Sequence, residues 1–371
     1  MPAQVAIIFR KRILPWSETF IATQSGALTR YAPVLVGYSR DPSGAAYLVG
    51  RPQLLLQEHS LFPALEKFLL KSAGRPPRRW LRAIADTKPV VLHAHFGSSA
   101  LPASRIAHAL GIPLIVTYHG MDITVAAKTQ AEVARRARAF AAADRVIAVS
   151  DFIADALRAA GCPPEKITQH YIGVDTSRFT PRAAPRSPTE VIFVGRLVEK
   201  KGVAHLIRAM QEVRRTMPAA ELVLAGDGPL RAALTREADV RGVPARFLGV
   251  QTPAQVEELM RRAAVLCGPS IADSRGNAEG LPITFLEAQA CGLPVIASTS
   301  GGTAEGIVDG ETGLLFTPGD ESALAEHLRR VLGDAALRER MGAAAREHIV
   351  RNFDLGRQTV KLEAIYDGSR P

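Results

Sequence analysis

The 371-residue sequence contains little cysteine and few aromatic residues, and each shortage excludes a class of protein. Its three cysteines, Cys162, Cys267 and Cys291, are odd in number and widely spaced. This argues against a disulfide scaffold or a zinc knuckle and fits a reducing cytosol. Aromatic residues make up 6% of the chain, whereas a groove for nucleic acid needs aromatic side chains interleaved with basic ones. We therefore expect no nucleic-acid partner.

Long apolar runs are also missing. No run approaches the ~18 residues that cross a membrane, and Arg10 interrupts the apolar start of the chain too soon for a signal peptide. We therefore expect a cytoplasmic protein. What the sequence does contain is an apolar share of 47%, over a length that suits two domains with a core each.

Positive charge is concentrated in the first half of the chain. Residues 1–175 carry 21 Lys/Arg against 12 Asp/Glu, and the remainder carries 25 against 24. The densest basic stretch, 75–82, has four arginines around Trp80 and closely follows the run 68–71. Such a cluster suits the anionic inner face of the cytoplasmic membrane, which the protein would contact peripherally. A nucleic acid, or a genome that favours arginine, would also account for it.

Short apolar runs alternate with helical stretches in two successive series, separated by the proline-rich segment 177–189. This alternation predicts two α/β domains with parallel, doubly wound sheets. We predict a first domain over 1–176, a linker over 177–189 and a second domain over 190–352. The last helix, 353–368, should pack back on the first domain. A ligand is expected at the loops that follow the carboxyl ends of the strands.

One stretch of the second domain joins a polar loop to an apolar helix. The loop ends at Gly280, and a helix of about 10 residues should begin beside Pro282 and stop at Gly292. Free amides at a helix start attract phosphate. Glu279 precedes this helix and Glu287 lies about two turns along it. Such a pair suits a diphosphate between two polyols, as in a nucleotide sugar. The alternative is a glutamate that favours the helix dipole and a second that is solvated.

The two glutamates, with Gly280, Leu281 and Pro282 between them, resemble the E-x7-E signature of the family 4 retaining glycosyltransferases. Two further loops resemble that family. Gly195 and Arg196 follow a strand and precede Lys201 with the family's G-R-x4-K-G spacing, and Gly226 and Asp227 match its strand-end turn. The resemblance implies α/β GT-B architecture, with two Rossmann-like doubly wound domains facing each other across a cleft. It also implies a UDP- or GDP-sugar donor as co-substrate in the second domain, and no cofactor.

The resemblance also implies roles for particular residues. Arg196 and Lys201 would stabilise the leaving diphosphate, whereas Lys200 is interpreted as a solvated turn residue. Glu287 would bind the ribose hydroxyls, and Glu279 would address the transferred sugar. Backbone near the nucleotide would come from the remaining matched positions, which are Gly195, Gly226, Asp227, Gly280, Leu281 and Pro282. No Asp-x-Asp occurs, so we expect no metal, with the two cations and the helix start as counter-charge.

In the first domain, His119 follows a predicted strand and precedes a glycine. In resembling enzymes the matching histidine faces the donor sugar, which makes His119 the main first-domain candidate. His95, in a loop similar to those of exopolysaccharide-assembly members, is expected near the acceptor. We expect His93 and His95 to point to opposite faces of their strand, which would exclude a shared zinc ion. Ser17 and Glu18 stand where many members have a glycine-rich turn, and could open a helix whose amides meet the diphosphate.

The sequence therefore predicts a retaining, metal-independent hexosyltransferase. It would move a hexose from a nucleoside-diphosphate sugar to a saccharide or a polyprenyl-diphosphate-linked saccharide, in exopolysaccharide or cell-surface polysaccharide assembly. Two alternatives rank lower. A sugar-nucleotide epimerase or a phosphorylase would use the same fold, and an epimerase would need no acceptor. A basic nucleic-acid-binding protein would bind nucleic acid in a salt-sensitive way and would not hydrolyse sugar nucleotides.

Overall fold

The computed structural model describes residues 3–15, 18–60, 62–72, 74–182 and 185–369. The chain divides into two compact units. Unit 1 comprises Met1–Ile172 and Leu355–Pro371, and unit 2 comprises Gly173–Asp354. Each unit is built around one parallel sheet, which confirms the predicted pair of Rossmann-like α/β domains.

Unit 1 has a seven-stranded sheet in the order β5-β3-β1-β6-β7-β8-β9 and a small parallel pair, β2-β4. Its strands are β1 (Gln4–Phe9), β2 (Arg12–Ile13), β3 (Tyr31–Gly37), β4 (Ser39–Arg40), β5 (Gln53–Leu55), β6 (Pro89–His95), β7 (Leu114–Tyr118), β8 (Arg145–Ala148) and β9 (Ile167–Gln169). All five residues of β7 are buried. Central strands of a parallel sheet are covered on both faces, so they appear in the sequence as unbroken apolar runs.

The helices of unit 1 are α1 (Thr19–Gly26), α2 (Pro63–Ser72), α3 (Arg78–Ala85), α4 (Gly97–Leu110), α5 (Met121–Thr124), α6 (Gln130–Ala142), α7 (Asp151–Ala159) and the C-terminal α14 (Leu355–Asp367). Side-chain caps define their starts where the sequence supplies them. Thr129 and Glu132 form a reciprocal capping box at α6. The helix α14 belongs to unit 1, where Leu362 and Tyr366 lie in the core.

Unit 2 has a six-stranded sheet in the order β12-β11-β10-β13-β14-β15. Its strands are β10 (Glu190–Val194), β11 (Glu221–Ala225), β12 (Ala245–Gly249), β13 (Val265–Gly268), β14 (Val295–Ser298) and β15 (Gly313–Phe316). Its helices are α8 (Val203–Arg214), α9 (Arg231–Val240), α10 (Pro253–Arg262), α11 (Ile283–Ala290), α12 (Glu321–Gly333) and α13 (Ala335–Asn352). Helix α11 begins beside Pro282 and ends before Gly292, whose φ is +66°.

Both sheets reverse their strand order at one point. In unit 1 the reversal lies between β1 and β6, and in unit 2 it lies between β10 and β13. Loops that leave the two strands of such a switch point diverge to opposite sides, which opens a crevice at the carboxyl end of the sheet. Ligand-binding and catalytic residues are therefore expected directly after Phe9, His95, Val194 and Gly268.

Candidate functional site

The loops at the unit 2 switch point approach each other so closely that only glycine fits at two positions. At Gly202, where φ is +63°, a Cβ atom would overlap the carbonyl oxygen of Pro269, so the loop after β10 lies directly against the loop after β13. At Gly226 a Cβ atom would overlap the carbonyl oxygen of Gly195. The switch-point loops of unit 2 thus form one packed layer of backbone rather than separate mobile segments.

Two lysines and one glutamate meet in this layer. The Nζ atoms of Lys200 and Lys201 each lie 3.2 Å from Oε1 of Glu279, which is only 7% exposed. Burial by itself would raise the pKa of Glu279, but the ammonium groups of Lys201 and Lys200 outweigh it and hold the pKa below its ordinary value. Glu279 is therefore ionised at neutral pH, and one carboxylate is shared between two cations.

This cluster agrees with the positions proposed for Lys201 and Glu279, and it adds Lys200. No local pattern in the sequence distinguishes Lys200 from an ordinary surface lysine. The signal lies in the fold, since the single-turn helix Glu199–Lys201 directs both lysine side chains toward the loop after β13. The interpretation of Lys200 as a solvated turn residue is therefore wrong.

Arg196 follows Gly195 at the end of β10 and is exposed. Within the described ranges its guanidinium group forms no ion pair. Lys201 lies on the other side of Gly195, where its Cε is 3.6 Å from the place of a Cβ at that glycine. The loop after β10 therefore carries one exposed arginine and two partly buried lysines, and Arg196 is available for an anion from solvent.

The segment before α11 is buried and is hydrogen-bonded to the loop after β14. Gly280, Leu281 and Pro282 are buried, and the carbonyl oxygen of Glu279 accepts a hydrogen bond from the backbone N–H of Gly302 at 3.0 Å. No side chain caps α11. The N–H of Phe285 donates to the carbonyl oxygen of Pro282 at 3.0 Å. The N–H groups of Ile283 and Thr284 are therefore the ones that face an incoming anion at this helix start, the arrangement that binds phosphate in many proteins.

Glu287 lies on α11, half-buried and apart from the lysine cluster. Burial raises its pKa to about 7, the positive charge of Arg178 partly opposes this rise, and Glu257 adds to it. Arg178 is itself paired with Glu257 at 3.1 Å. Near neutral pH, Glu287 is thus present in both its charged and its neutral form. A hydrogen-bond donor that binds beside it would favour the charged form.

Gly226 and Asp227 form a structural turn. The backbone oxygen of Asp227 accepts from the N–H of Leu197 at 2.9 Å, and its carboxylate accepts from Gly228 N–H at 2.7 Å and pairs with Arg231 at 3.3 Å. The Asp227 side chain is thereby engaged within unit 2. Its contribution to the site is to hold the loop that carries Gly195 and Arg196.

In unit 1, the loop after β1 supplies a residue that sequence reasoning missed. Arg10 donates two hydrogen bonds to the carboxylate of Glu18, at 2.8 and 2.7 Å, and its guanidinium group lies 4.2 Å from the ring centre of Phe96. The carboxylate of Glu18 is thus used to neutralise Arg10. Ser17 lies outside the described residues. The signal for Arg10 was its position immediately after β1, at the switch point.

Phe96 adopts φ 67° and ψ 135°, a conformation that is strained for any residue with a side chain. It connects β6 to α4 and packs 4.5 Å from the ring of His119. Strain of this kind persists only where the surroundings impose it, and it is concentrated at functional sites. The switch point of unit 1 therefore shows the backbone signature that is common at such sites.

His119 is half-buried at the end of β7, and its position is fixed by Asp122. The carboxylate of Asp122 accepts hydrogen bonds from the N–H groups of His119, Gly120 and Gly97, at 3.1, 2.9 and 2.9 Å. It thus ties the loop after β7 to the start of α4. Desolvation, followed by electrostatic repulsion from His93 and Arg10 toward a protonated ring, lowers the pKa of His119 to about 3, so its imidazole is neutral at physiological pH.

The expectation that His93 and His95 point to opposite faces is wrong. Side chains two residues apart on a strand share a face, and the two rings lie 4.3 Å apart. His95 is only 1% exposed, and its Nδ1 lies 3.1 Å from Nε2 of His119, so His95 contacts that histidine rather than solvent. Among the described residues, no group of three or more His, Cys, Asp or Glu is arranged to hold a metal ion.

Sequence comparison identifies the family of both halves of the chain. Residues 17–178 match the family described as Glycosyltransferase Family 4, and residues 176–348 match Glycosyl transferases group 1. WcaL of Salmonella typhimurium, a glycosyltransferase assigned to colanic acid biosynthesis, is 32% identical over 287 residues, 73% of this chain and 70% of the relative. A GDP-mannose-dependent phosphatidylinositol monomannoside mannosyltransferase of Mycolicibacterium smegmatis is 32% identical over 283 residues, 72% and 73% of the two chains.

Among solved structures, Anabaena HepE in complex with UDP and glucose superposes with a TM-score of 0.79 at 17% identity, over 98% of this chain and 100% of HepE. At this identity the likeness shows the fold, which is GT-B. The two sequence relatives show more, because each is above 30% identical over more than two thirds of its length. The chain is therefore a glycosyltransferase, and it belongs to glycosyltransferase family 4.

Proposed function

We propose that this glycosyltransferase moves a hexose from a nucleoside-diphosphate sugar with retention of configuration and without a metal ion. The observation that supports the proposal most directly is the shared ion pair of Lys200, Lys201 and Glu279 at the unit 2 switch point. A diphosphate that leaves the sugar gains negative charge, and fixed cations near it stabilise that charge where water is excluded. Arg196, the two lysines and the open start of α11 supply such a counter-charge from the protein itself.

The ion pair also explains how the lysines and Glu279 can each contact a different part of the donor. Before the donor binds, Glu279 offsets part of the positive charge of the two partly buried ammonium groups. When the diphosphate arrives, Lys201 and Lys200 exchange the carboxylate for phosphate oxygens, which carry more charge. Glu279 then becomes an ionised acceptor beside the sugar, free to bind its hydroxyl groups. The cluster thus converts binding of the diphosphate into orientation of the hexose.

The bond changes follow from retention. The bond between the anomeric carbon and the diphosphate oxygen breaks, and the acceptor oxygen bonds to the same face of the anomeric carbon. The acceptor's proton passes to the departing phosphate oxygen, so that charge and atoms balance. His119, neutral because of its burial, would contact the hexose, and Glu287 would accept hydrogen bonds from the ribose hydroxyls.

The donor base remains uridine or guanosine. HepE binds UDP, and the mycobacterial relative is named for its dependence on GDP-mannose. Thermal-shift titration with UDP- and GDP-linked glucose, galactose and mannose, in the presence of EDTA, would identify the donor and test metal independence together. The proposal predicts a rise in Tm with one donor series in EDTA. A rise that requires added Mg²⁺ or Mn²⁺ would contradict it.

Retention has its own experiment. NMR of the first product formed from an α-linked donor should show an α-linked anomeric proton. A β-linked product would overturn the retaining assignment while leaving the glycosyltransferase activity intact. Enzyme without acceptor should not convert the donor to a second nucleotide sugar, as an epimerase would.

The acceptor is proposed to be a saccharide or a polyprenyl-diphosphate-linked saccharide at the inner face of the cytoplasmic membrane, in surface-polysaccharide assembly. Support comes from two consecutive segments of unit 1. Helix α2 and the residue before it expose four large apolar side chains, Phe62, Leu65, Phe68 and Leu69, by 42–67%. Arg75, Arg78, Arg79 and Arg82 are exposed on the following segment and α3. None of the helices in the described part of the chain has both the length and the apolar character that crossing a bilayer requires.

Apolar side chains flanked by arginines complement an anionic lipid surface. Co-sedimentation with vesicles that contain phosphatidylglycerol should therefore recover more protein than vesicles of phosphatidylcholine alone. The double variant Leu65→Ser with Leu69→Ser should lose this binding. Val240→Ser, which changes an apolar side chain that is 89% exposed in unit 2, is the matched control. Equal recovery on both vesicle types would contradict membrane contact.

A further inference from the structure

The hydrogen bond between His95 and His119 leaves one proton to be shared between two nitrogens. Nδ1 of His95 and Nε2 of His119 are 3.1 Å apart. Desolvation, His119 and Arg10 lower the pKa of His95 well below its ordinary value, and His119 is also neutral. Each ring therefore carries a single proton, and only one of the two facing nitrogens can be protonated when the bond forms.

The direction of this bond decides what His119 offers to a ligand. If His95 donates from Nδ1, Nε2 of His119 is a bare acceptor and the proton of His119 is on Nδ1. If His119 donates from Nε2, its Nδ1 is bare and can only accept. The second nitrogen of His119 is thus a donor in one case and an acceptor in the other. The two cases would orient the same sugar hydroxyl differently.

The ring of His95 in turn packs against that of His93, which is fixed at both nitrogens. The rings of His93 and His95 are 4.3 Å apart and inclined by 31°. Nδ1 of His93 lies 2.7 Å from the hydroxyl of Tyr366, and Nε2 lies 2.6 Å from Oγ1 of Thr117. Burial lowers the pKa of His93 well below its ordinary value, so this ring is neutral too.

The Tyr366 hydroxyl selects one tautomer of His93. Tyr366 is fully buried, and among the described residues His93 is the hydrogen-bond partner of its hydroxyl. If the phenol did not donate to Nδ1, its own hydrogen would be buried without an acceptor, which is unfavourable. The phenol therefore donates to Nδ1, and His93 donates from Nε2 to Thr117.

Tyr366 is held in place by Glu363 and Asp367, which flank it at the C-terminal end of α14. The carboxylate of Glu363 accepts from the backbone N–H groups of Thr29 and Arg30, at 2.6 and 2.8 Å. Asp367 accepts from the hydroxyl of Tyr31 at 2.8 Å. These bonds attach α14 to the loop before β3, so the phenol cannot leave His93 unless the C-terminal helix detaches.

We propose that His95 and Tyr366 are positioning residues that fix the tautomer of His119. Tyr366 fixes which nitrogen of His93 carries the proton. The dipole of His93 then favours one tautomer of His95, whose ring packs against it. Through the hydrogen bond between them, the tautomer of His95 determines the tautomer of His119. This inference rests on the proposed role of His119 toward the hexose. It gives the C-terminal helix a function in the transfer reaction beyond completing the core of unit 1.

The test compares two buried tyrosines with the same substitution. Tyr366→Phe removes the hydroxyl that faces His93, whereas Tyr31→Phe removes the hydroxyl that faces Asp367. Their rings pack edge-to-face 5.1 Å apart in one core. Tyr366→Phe should lower kcat about 10-fold with little change in the donor KM, because it disturbs the hydrogen bond that His119 offers the hexose and one such bond is worth about this factor. Tyr31→Phe should leave kcat within about twofold of wild type.

A spectroscopic measurement separates positioning from loss of stability. In protein with ¹⁵N-labelled histidine, the two nitrogens of His119 should give the shifts of one tautomer in wild type and in Tyr31→Phe. In Tyr366→Phe they should move toward the average of both tautomers. Unchanged His119 shifts, or an unchanged kcat, would overturn the proposal.

Two further variants keep the test decisive. His95→Asn retains an amide near the position of Nδ1 and should keep more of kcat than His95→Phe, which retains only the ring. Equal activity of the two would also contradict the proposal. His119→Ala tests the proposed function separately: a fully active His119→Ala enzyme would remove His119 from catalysis, whatever the tautomer measurements show.

Discussion

The two units have the same architecture at their switch points but differ in charge. In unit 2, the loop after β10 brings Lys200 and Lys201 to a single carboxylate and leaves Arg196 exposed, so positive charge is in excess. In unit 1, the cation after β1 is paired with Glu18, and the imidazole rings of His95 and His119 beside it are neutral. Equivalent positions on equivalent sheets thus suit different parts of a substrate.

The difference teaches that the fold sets where chemistry can occur, while a few side chains set which chemistry it is. An excess of cations suits the diphosphate of a nucleotide sugar. Neutral imidazoles and aromatic rings suit a hexose, whose hydroxyls need hydrogen bonds and whose carbon face needs an apolar surface. Removing a charged side chain should therefore affect turnover and nucleotide affinity more in unit 2 than in unit 1.

The largest expected effect is on turnover in unit 2. Lys201→Ala and Glu279→Ala should each lower kcat at least ~100-fold, because each removes a charged contact with the transition state. The measurement is the initial rate of transfer at saturating donor. Arg215→Ala, which removes an exposed arginine on the same unit, should retain the wild-type rate. A near-normal rate for either site variant would remove that residue from the mechanism.

A smaller effect on catalysis, and a larger one on stability, is expected for the cation of unit 1. Arg10→Met should lower Tm, because it leaves the carboxylate of Glu18, only 12% exposed, without its partner. The affinity of the Arg10→Met variant for the nucleoside diphosphate should stay within about threefold of wild type. Loss of nucleotide affinity equal to that of Lys201→Ala would break the comparison between the two units.

Glu287 should link donor binding to pH. Its pKa of about 7 in the free protein means that half of the molecules carry a neutral carboxyl at that pH. Because ribose hydroxyls favour the charged form, affinity for the nucleoside diphosphate should increase between pH 6 and pH 8, and Glu287→Gln should flatten this profile. A wild-type profile that is already flat would show that Glu287 does not contact the ribose.

The smallest effect concerns stability at the same residue. A carboxyl whose folded pKa is raised contributes stability below its unfolded pKa of about 4.3, and this contribution is lost as pH rises through the folded value. Glu287→Gln should therefore raise Tm of the ligand-free protein by a few degrees at pH 8 but not at pH 4. A lower Tm at pH 8 would mean that the carboxylate has a stabilising partner.

Much of the fold could be predicted because its determinants are local. Buried parallel strands such as β7 are unbroken apolar runs, and the start of α11 follows from Pro282. The spacing of Glu279 and Glu287, and of Arg196 and Lys201, directed attention to two loops that the structure brings into contact. Those predictions concern neighbours in sequence, where backbone geometry alone decides the arrangement.

The remainder could not be predicted because it depends on partners that are distant in sequence. Nothing near Lys200 shows that it reaches Glu279, and nothing near Arg10 shows that Phe96 will lie under it. The contact of Tyr366 with His93 joins the last helix to a central strand, and no periodicity encodes it. The error about His93 and His95 was of another kind, since the two-residue repeat of a strand was sufficient to place both rings on one face.

The central claim is that the lysines of unit 2 exchange Glu279 for a diphosphate. The most direct test is calorimetric titration, in EDTA, of wild type and Lys201→Ala with the nucleoside diphosphate of the preferred donor and with the matching nucleoside. The account predicts that Lys201→Ala weakens the diphosphate at least ~10-fold and leaves the nucleoside unchanged. Equal weakening of both ligands, or no weakening of the diphosphate, would contradict it.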